Sequence, residues 1–217
     1  MVDTVLFDLF GVIAHQQSTR AQHLLPAIAG APSSEFWGAY WARRAPYDRG
    51  EVTGTEYWRQ IADGLGTTFD DHQITRLVAA DIDSWSSVDE EMIALAQQTA
   101  AAGRRIALLS NIPEDLAVHY EQHHAWLNHF DLIAFSCRIG HAKPEPDAYR
   151  WCYQTLDIAP GRILFIDDRT ENIQAAEATG MRTHLFTCAE RARRAIAEPN
   201  RPLAQHGGST TNTHRTA

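Results

Sequence analysis

The sequence is poor in cysteine. Only three occur among 217 residues, Cys137, Cys152 and Cys188. They are too few and too scattered for a disulfide framework or a zinc site. We therefore expect reduced cysteines in a cytoplasmic protein.

The chain also lacks an excess of positive charge and a long apolar run. Its net charge is −8, whereas nucleic acids and anionic membranes bind proteins through basic faces. No apolar run approaches the roughly 20 residues of a membrane-spanning helix. The N-terminus enters a predicted strand with no signal-peptide pattern. We expect neither nucleic acid nor a membrane as a partner.

The chain is organised around its first predicted strand. Residues 5–13 are apolar apart from Asp8 and Gly11, a pattern typical of a strand that is buried on both faces. Asp8 is therefore expected at the carboxyl edge of a sheet, where open α/β sheets bind their ligands. On this stretch alone, an aspartate that caps a turn explains the pattern equally well.

A helical segment follows this strand. Residues 18–80 contain no strand-like run but several aromatic-rich helical patterns, and Thr53 and Glu56 have the spacing of a capping box. We predict an all-helical cap at residues 15–85, of about the size of a four-helix bundle. The remaining core then comprises residues 1–14 and 86–199.

From residue 86 onward, predicted helices and strands alternate. Ser87 and Glu90 have a second capping-box spacing, and strands are predicted at residues 106–109, 132–135, 163–166 and 183–186. This alternation predicts a parallel sheet covered by helices on both faces. Residues 200–217 form a polar tail that we expect to be disordered.

Polar side chains follow four of the predicted strands. They are Asp8, the Ser110-Asn111 pair, Lys143 and the Asp167-Asp168 pair. In a parallel sheet all of them lie at one edge. Clustered carboxylates repel each other unless a cation lies among them, and Mg²⁺ is held by carboxylates together with phosphate oxygens and water. A carboxylate beside a cation, a lysine and a hydroxyl is suited to attack on phosphorus.

Four motifs carry these residues, in the order FDLFGV (residues 7–12), LLSN (108–111), KPEP (143–146) and FIDDRTENI (165–173). Together with GEVTGTEYW at residues 50–58, they make the sequence resemble the haloacid dehalogenase (HAD) superfamily. The resemblance is to its phosphatase-type members of subfamily I, which carry a small helical cap after the first strand, and it spans residues 4–190. It implies a Rossmann-like α/β core with a parallel sheet.

The resemblance also implies catalytic roles. Asp8 is expected to be the nucleophile that becomes a transient aspartyl phosphate. Ser110 is expected to bind the transferring phosphoryl group, and Asn111 to shape its loop. Lys143 is expected to bridge the nucleophile and the phosphate.

A magnesium site is implied in the same way. Its expected ligands are Asp8, Asp168 and the backbone carbonyl of Phe10, with Asp167 as a further ligand or directly behind them. Supporting positions are Gly11 and Asn172.

Position 10 departs from the phosphatase pattern. In phosphatases of this family the second residue after the nucleophile is usually an aspartate, which protonates the leaving oxygen and later accepts a proton from water. Phe10 can do neither, and losing a general acid–base costs about 10²- to 10⁴-fold in rate. The metal contact there is made by backbone, so metal binding is expected to survive.

Three interpretations follow. The protein is a phosphatase whose leaving group needs little protonation, such as a sugar 1-phosphate or an acyl phosphate, or whose acid comes from elsewhere, with His15 and His141 as candidates. It is a metal-independent dehalogenase, whose relatives carry an aromatic residue at this position but lack the aspartate pair. Or it is a non-catalytic module that binds a phosphorylated ligand or a protein.

We favour the first interpretation: Mg²⁺-dependent hydrolysis of a small phosphorylated metabolite, by a monomer or homodimer. The intact set of Asp8, Ser110, Lys143 and Asp168 supports it. The Arg43-Arg44 pair is a candidate for phosphate binding, but we interpret it as part of a solvated helix face or a helix end. Candidates for substrate contact in the cap are Arg20, Trp37, Trp41, Tyr47 and Arg49.

Overall fold

The computed structural model describes residues 2–198, and the predicted polar tail lies outside them. A five-stranded parallel sheet forms its centre. The strands are β1 (Thr4–Phe7), β2 (Arg105–Ser110), β3 (Leu132–Phe135), β4 (Ile163–Asp167) and β5 (Arg182–Leu185). They are ordered β3-β2-β1-β4-β5 across the sheet, which confirms the predicted parallel α/β architecture.

Strand β1 lies in the middle of the sheet. It pairs along its whole length with β2 on one side and with β4 on the other, and all four of its residues are buried. Since every pairing is parallel, the residues that follow β1, β2 and β4 meet at one edge.

Five helices lie between β1 and β2 within residues 15–85, a segment that we call the helical insertion. They are α1 (Thr19–Ala29), α2 (Ser33–Ala42), α3 (Arg44–Asp48), α4 (Gly54–Gly64) and α5 (Asp71–Ser84). The insertion buries its own aromatic cluster, in which Phe36, Tyr40, Tyr57 and Trp58 are fully inaccessible to solvent.

Six further helices cover the sheet. They are α6 (Glu90–Ala101), α7 (Glu114–His123), α8 (Ser136–Ile139), α9 (Pro146–Thr155), α10 (Thr170–Ala178) and α11 (Ala189–Ala197). Val5 and Phe7 of β1 pack into one hydrophobic cluster with α6, α7 and α11. Leu6 points to the opposite face and packs into a second cluster with α9 and α10. Helices therefore cover both faces, as predicted.

The two predicted capping boxes have different outcomes. Thr53 and Glu56 form the reciprocal pair of hydrogen bonds at the start of α4, which confirms the first. The second is wrong, because Asp89 caps α6 by accepting hydrogen bonds from the amides of Glu91 and Met92. The backbone at Ser87 is instead extended and accepts a hydrogen bond from the His15 amide at 2.9 Å.

The insertion is attached to the core through α3 and the residues beside it. The Ser136 hydroxyl at the start of α8 donates to the backbone carbonyl of Asp48 at 2.5 Å, and the Tyr47 hydroxyl donates to Asp115 of α7 at 2.7 Å. Gly50 lies so close to the carbonyl of Cys137 that a Cβ would overlap it. These contacts place the end of α3 over the carboxyl edge of the sheet. No helix within residues 2–198 combines the length and apolarity needed to cross a membrane.

The buried aromatic cluster of the insertion generates a stability prediction. Trp58→Ala removes a side chain that is 0% exposed and should lower the free energy of unfolding by about 3–5 kcal/mol. Trp41→Ala removes an indole that is 52% exposed and should change it by only about 0.5 kcal/mol. Urea unfolding followed by circular dichroism measures both, and equal losses would contradict this packing.

Candidate active site

One buried lysine lies between two buried carboxylates at the carboxyl edge of the sheet. The Lys143 ammonium is 2.5 Å from Oδ1 of Asp8 and 2.8 Å from Oδ2 of Asp167. Asp8 directly follows β1, and Asp167 is the last residue of β4. Strand pairing thus brings together groups that lie far apart in the sequence, and the trio has one more acid than base.

The pKa values of the two carboxylates are shifted in opposite directions. Burial raises the pKa of Asp8 well above its usual value, although Lys143 opposes this. Burial acts on Asp167 too, but there Lys143 and further hydrogen bonds prevail and lower the pKa. Burial alone would lower the pKa of Lys143, but the two carboxylates raise it, so the lysine stays charged. Of the two carboxylates, Asp8 is therefore the one that more readily binds a proton, and a cation beside it would favour its ionised form.

Two asparagines hold this trio in place. The Asn172 amide donates to both carboxylate oxygens of Asp167 at 3.0 Å. The Arg169 backbone amide donates to the same carboxylate at 2.8 Å, so both Asp167 oxygens are occupied. Asn111 forms two hydrogen bonds with the backbone of Lys143, at 2.7 and 2.8 Å, and so ties the end of β2 to the lysine loop.

The residues present fit a magnesium ion. Carboxylate oxygens of Asp8, Asp167 and Asp168 lie within 4.8 Å of one another, and Mg²⁺ prefers such oxygen ligands. Oδ1 of Asp168 is buried and has no hydrogen-bond partner among the described residues. The Gln16 amide nitrogen is 3.2 Å from Oδ2 of Asp168 and 3.5 Å from the Phe10 carbonyl. A partly positive group therefore already faces two of the oxygens predicted to bind the cation.

Gly11 makes this arrangement possible. Its φ is +90°, a conformation that favours glycine. A Cβ at this position would overlap Oδ2 of Asp168 and lie 2.7 Å from the Gln16 amide nitrogen. The glycine after the nucleophile is thus required by both its backbone conformation and the close approach of Asp168.

Ser110 is placed differently from Asn111. It is fully buried at the end of β2, and its hydroxyl has no hydrogen-bond partner within residues 2–198. An unpaired buried hydroxyl costs free energy. Ser110 itself is not among the residues that line the cavity above Asp8, whereas Asn111 is.

A cavity of about 120 Å³ opens above Asp8. Of the residues singled out from the sequence, Asp8, Phe10, Trp41, Asn111, Lys143 and Asn172 line it. Five other residues line it as well, which are Gln16, Arg44, Asp48, Trp85 and Arg169. Of these, Gln16, Asp48 and Arg169 were given no role at the site from the sequence. The cavity is small for a ligand site, since such sites usually measure about 300–1,000 Å³.

Phe10 forms part of an aromatic wall of the cavity. Its ring makes edge contacts with Trp85 and Tyr120, at centroid distances of 4.9 and 5.8 Å. The aromatic side chain that replaces the usual acid therefore packs against α7 and the end of the insertion. His15 and His141, the acids suggested from sequence, are not among the residues that line the cavity.

The interpretation of Arg44 as a solvated helix end is wrong. Arg44 is 6% exposed, and its guanidinium pairs with Asp48 at 2.7 Å and with Asp81 at 3.3 Å. It also lies over the Trp85 ring. The i, i+4 spacing of Arg44 and Asp48 was the available signal, because such pairs share a helix face.

The other proposed substrate contacts have different surroundings. Trp37 lines a neighbouring cavity of about 300 Å³, which shares Trp41 with the first. Arg49 pairs with Glu51 and Glu145. The cavity above Asp8 is not lined by Trp37 or Arg49, nor by Arg20 or Tyr47. Trp41 alone of the five candidates lines it.

Comparison with known proteins agrees with this geometry. The family model for haloacid dehalogenase-like hydrolases matches residues 2–180. The chain is 25% identical over 181 residues to the sesquiterpene phosphatase astK of Aspergillus oryzae, covering 81% of this chain and 85% of that protein. It is 26% identical over 193 residues to phosphatase MT3486 of Mycobacterium tuberculosis, covering 85% and 87%.

Solved structures show the same fold. A HAD family enzyme of Bacteroides thetaiotaomicron, in complex with magnesium and inorganic phosphate, superposes with a TM-score of 0.71 at 20% identity over 85% of this chain and 93% of that one. The L-2-haloacid dehalogenase of Xanthobacter autotrophicus superposes with a TM-score of 0.59 at 16% identity, over 84% and 76%.

The sheet edge that carries the clustered carboxylates and the buried lysine lies within the residues that this family model matches. The chain belongs to the haloacid dehalogenase-like hydrolases.

The close approach at Gly11 generates a second prediction. Gly11→Ala should destabilise the protein by about 1–3 kcal/mol through overlap, in addition to the cost of backbone strain, because the new Cβ displaces Asp168 or Gln16. Gly30→Ala is the matched control: its φ is +69° but nothing lies within 4 Å of the added Cβ. Urea unfolding of both variants separates strain from overlap, and equal destabilisation would show that the overlap is relieved at no cost.

Proposed function

We propose that the protein is a Mg²⁺-dependent phosphohydrolase that acts on a small phosphorylated metabolite through an aspartyl-phosphate intermediate at Asp8. One observation carries the proposal: Asp8 shares its lysine with a second carboxylate and lies within 4.8 Å of oxygens of Asp167 and Asp168. A carboxylate oriented by a lysine and surrounded by oxygen ligands for a cation is suited to attack a phosphoryl group.

The reaction proceeds in two steps. An oxygen of Asp8 attacks phosphorus, and the bond from phosphorus to the leaving oxygen breaks. Water then attacks the aspartyl phosphate, which releases inorganic phosphate and regenerates the Asp8 carboxylate. Lys143 orients Asp8 throughout, and the unpaired hydroxyl of Ser110 donates to a phosphoryl oxygen.

The residues that would hold Mg²⁺ are Asp8, Asp168 and the carbonyl of Phe10. When bound, the ion supplies positive charge for the phosphoryl oxygens. Asp167 instead keeps Lys143 and Asn172 in place, since both of its oxygens already accept hydrogen bonds.

The helical insertion acts as a cap in this proposal. It closes over the phosphoryl group, excludes water and selects the leaving group. The second cavity, beyond Trp41, is lined by aromatic and polar side chains and by no carboxylate, lysine or arginine of the described residues; the lining comprises Gln17, Gln22, His23, Ser33 and Trp37. That lining suits an uncharged leaving group with apolar surface.

The relatives support phosphoryl chemistry. Two of them are named as phosphatases, and the enzyme from Bacteroides thetaiotaomicron binds magnesium and phosphate. The dehalogenase shares only the fold. In a site without metal, Asp168 would repel the carboxylate of a haloacid.

The nucleophile assignment is tested by phosphate release from a panel of sugar phosphates, acyl phosphates and isoprenoid alcohol phosphates, with Mg²⁺ and with EDTA. We expect Mg²⁺-dependent release, and Asp8→Asn should reduce it by a factor on the order of 10³ or more. Asp63→Asn, which changes an exposed aspartate of α4, should be unaffected.

The same assay includes 2-haloacids. Metal-independent halide release would replace the proposal with a dehalogenase. Phosphate release that persists in a folded Asp8→Asn variant would refute the nucleophile. No turnover of any substrate, with Mg²⁺ and phosphate still bound, would favour the non-catalytic module.

The metal assignment generates a separate prediction. Bound Mg²⁺ at 100 times its dissociation constant stabilises the folded state by about 2.7 kcal/mol, so Mg²⁺ should raise the melting temperature of the protein. Asp168→Asn should weaken Mg²⁺ binding and reduce that shift, whereas Asp63→Asn should keep it. Thermal unfolding against Mg²⁺ concentration measures this without any substrate. An unchanged shift in Asp168→Asn would place the ion elsewhere.

A further inference from the structure

Hydrolysis of an ordinary phosphate ester needs a proton for the leaving oxygen, and Phe10 cannot supply it. Within residues 2–198, four ionisable side chains besides Asp8 line the same cavity: Arg44, Asp48, Lys143 and Arg169. The two guanidinium groups do not release protons in proteins. Lys143 is held between Asp8 and Asp167, and giving up its proton would leave two buried carboxylates unpaired. Asp48 is the remaining donor.

We propose that Asp48, at the end of α3 in the helical insertion, is the general acid and base that the sheet lacks. This inference rests on the proposed phosphohydrolase function. It gives the helical insertion a chemical role in addition to closing over the site. The position of Asp48 in the sequence does not indicate this role.

The structure fixes Asp48 firmly from two sides. Its Oδ1 accepts a hydrogen bond from Nε of Arg44 at 2.7 Å, and its backbone carbonyl accepts one from Ser136 at 2.5 Å. The same Ser136 hydroxyl accepts a hydrogen bond from the amide of Ile112 at 2.8 Å. Asp48 is therefore tied to the loop after β2, which carries Asn111. Because the cavity holds only about 120 Å³, an ester bound at Asp8 lies close to Asp48.

The charges around Asp48 come from several elements. Arg44 precedes it on α3 and Arg49 follows it, whereas Asp81 belongs to α5 and Tyr57 to α4. Arg44 is shared between Asp48 and Asp81, so it neutralises neither carboxylate alone. Burial raises the pKa of Asp48, and Arg44 only partly opposes this.

The direction of that shift suits an acid. A raised pKa keeps more of the carboxyl group protonated near neutral pH than in an exposed aspartate. Donation by Asp48 is present below this pKa and is lost as the pH rises through it.

Asp48 alone can donate the proton in the first step and recover one in the second. In the first step Asp8 forms a bond to phosphorus, the bond to the leaving oxygen breaks, and that oxygen takes the proton of Asp48, so a neutral alcohol departs. In the second step the Asp48 carboxylate accepts a proton from water while the water oxygen attacks phosphorus. Phosphate leaves, and Asp48 is protonated again.

The test compares good and poor leaving groups. Asp48→Asn should reduce kcat/KM by about 10²- to 10⁴-fold for an alkyl phosphate. For 4-nitrophenyl phosphate, whose leaving oxygen needs no proton, the loss should be less than tenfold. Asp81→Asn is the matched control, because Asp81 pairs with the same guanidinium of Arg44 but does not line the cavity. It should change both rates by a similar factor.

The pH dependence of the unsubstituted enzyme provides a second measurement, which does not require the variant to fold. Its ratio of alkyl to 4-nitrophenyl phosphate hydrolysis should fall as the pH rises through the pKa of Asp48. In Asp48→Asn that ratio should be low and independent of pH.

The outcomes separate this inference from the proposed function. Equal losses on both substrates in Asp48→Asn, or a pH-independent ratio in the parent, would overturn the role of Asp48 while Asp8→Asn remains inactive. Phosphate release by Asp8→Asn would instead overturn the proposed function itself.

Discussion

The site depends on a single buried ammonium shared by two carboxylates. Charges buried in a protein are tolerated when they are paired, and Lys143 pairs with Asp8 and Asp167 at once. Asp167 also receives hydrogen bonds from Asn172 and from a backbone amide, so it is the better satisfied of the two. Burial therefore raises the pKa of Asp8. A cation beside it would favour the ionised carboxylate, which is the form that its proposed role as nucleophile requires.

The opposite side of the cavity is formed by packed aromatic rings and by residues of the helical insertion. Phe10 packs edge-on against Trp85 and Tyr120 and extends the hydrophobic core up to the site. The sheet thus gains packing at the position where an acid is usual. The ionisable groups on that side, Arg44 and Asp48, belong to the insertion. In the proposed mechanism, binding of the phosphoryl group and protonation of the leaving group therefore belong to separate parts of the chain.

How far the sequence could predict this arrangement follows from the geometry of its elements. Asp8 and Asp167 were predictable because each adjoins the end of an apolar run, and a parallel sheet brings such ends together. Asp89 was missed as the cap of α6 because residues 87–89 pair with residues 13–15 in extended conformation, a contact that is distant in sequence. Arg44 and Asp48 lie on a five-residue helix. Which face of so short a helix is buried depends on contacts to Asp115 and Ser136, and no local pattern encodes them.

The hydrogen bond from Ser136 to the carbonyl of Asp48 links two events in time. In the proposed mechanism the sheet holds the phosphoryl group and the insertion carries the acid and base, and this hydrogen bond forms only while α3 is seated on α8. An insertion that lifts away takes its carboxyl group with it and leaves Asp8 behind. Solvent that enters the open site then meets an intermediate but no base. Hydrolysis of the intermediate would thus have to precede opening of the insertion, because the base leaves with it. No additional contact is needed to impose that order.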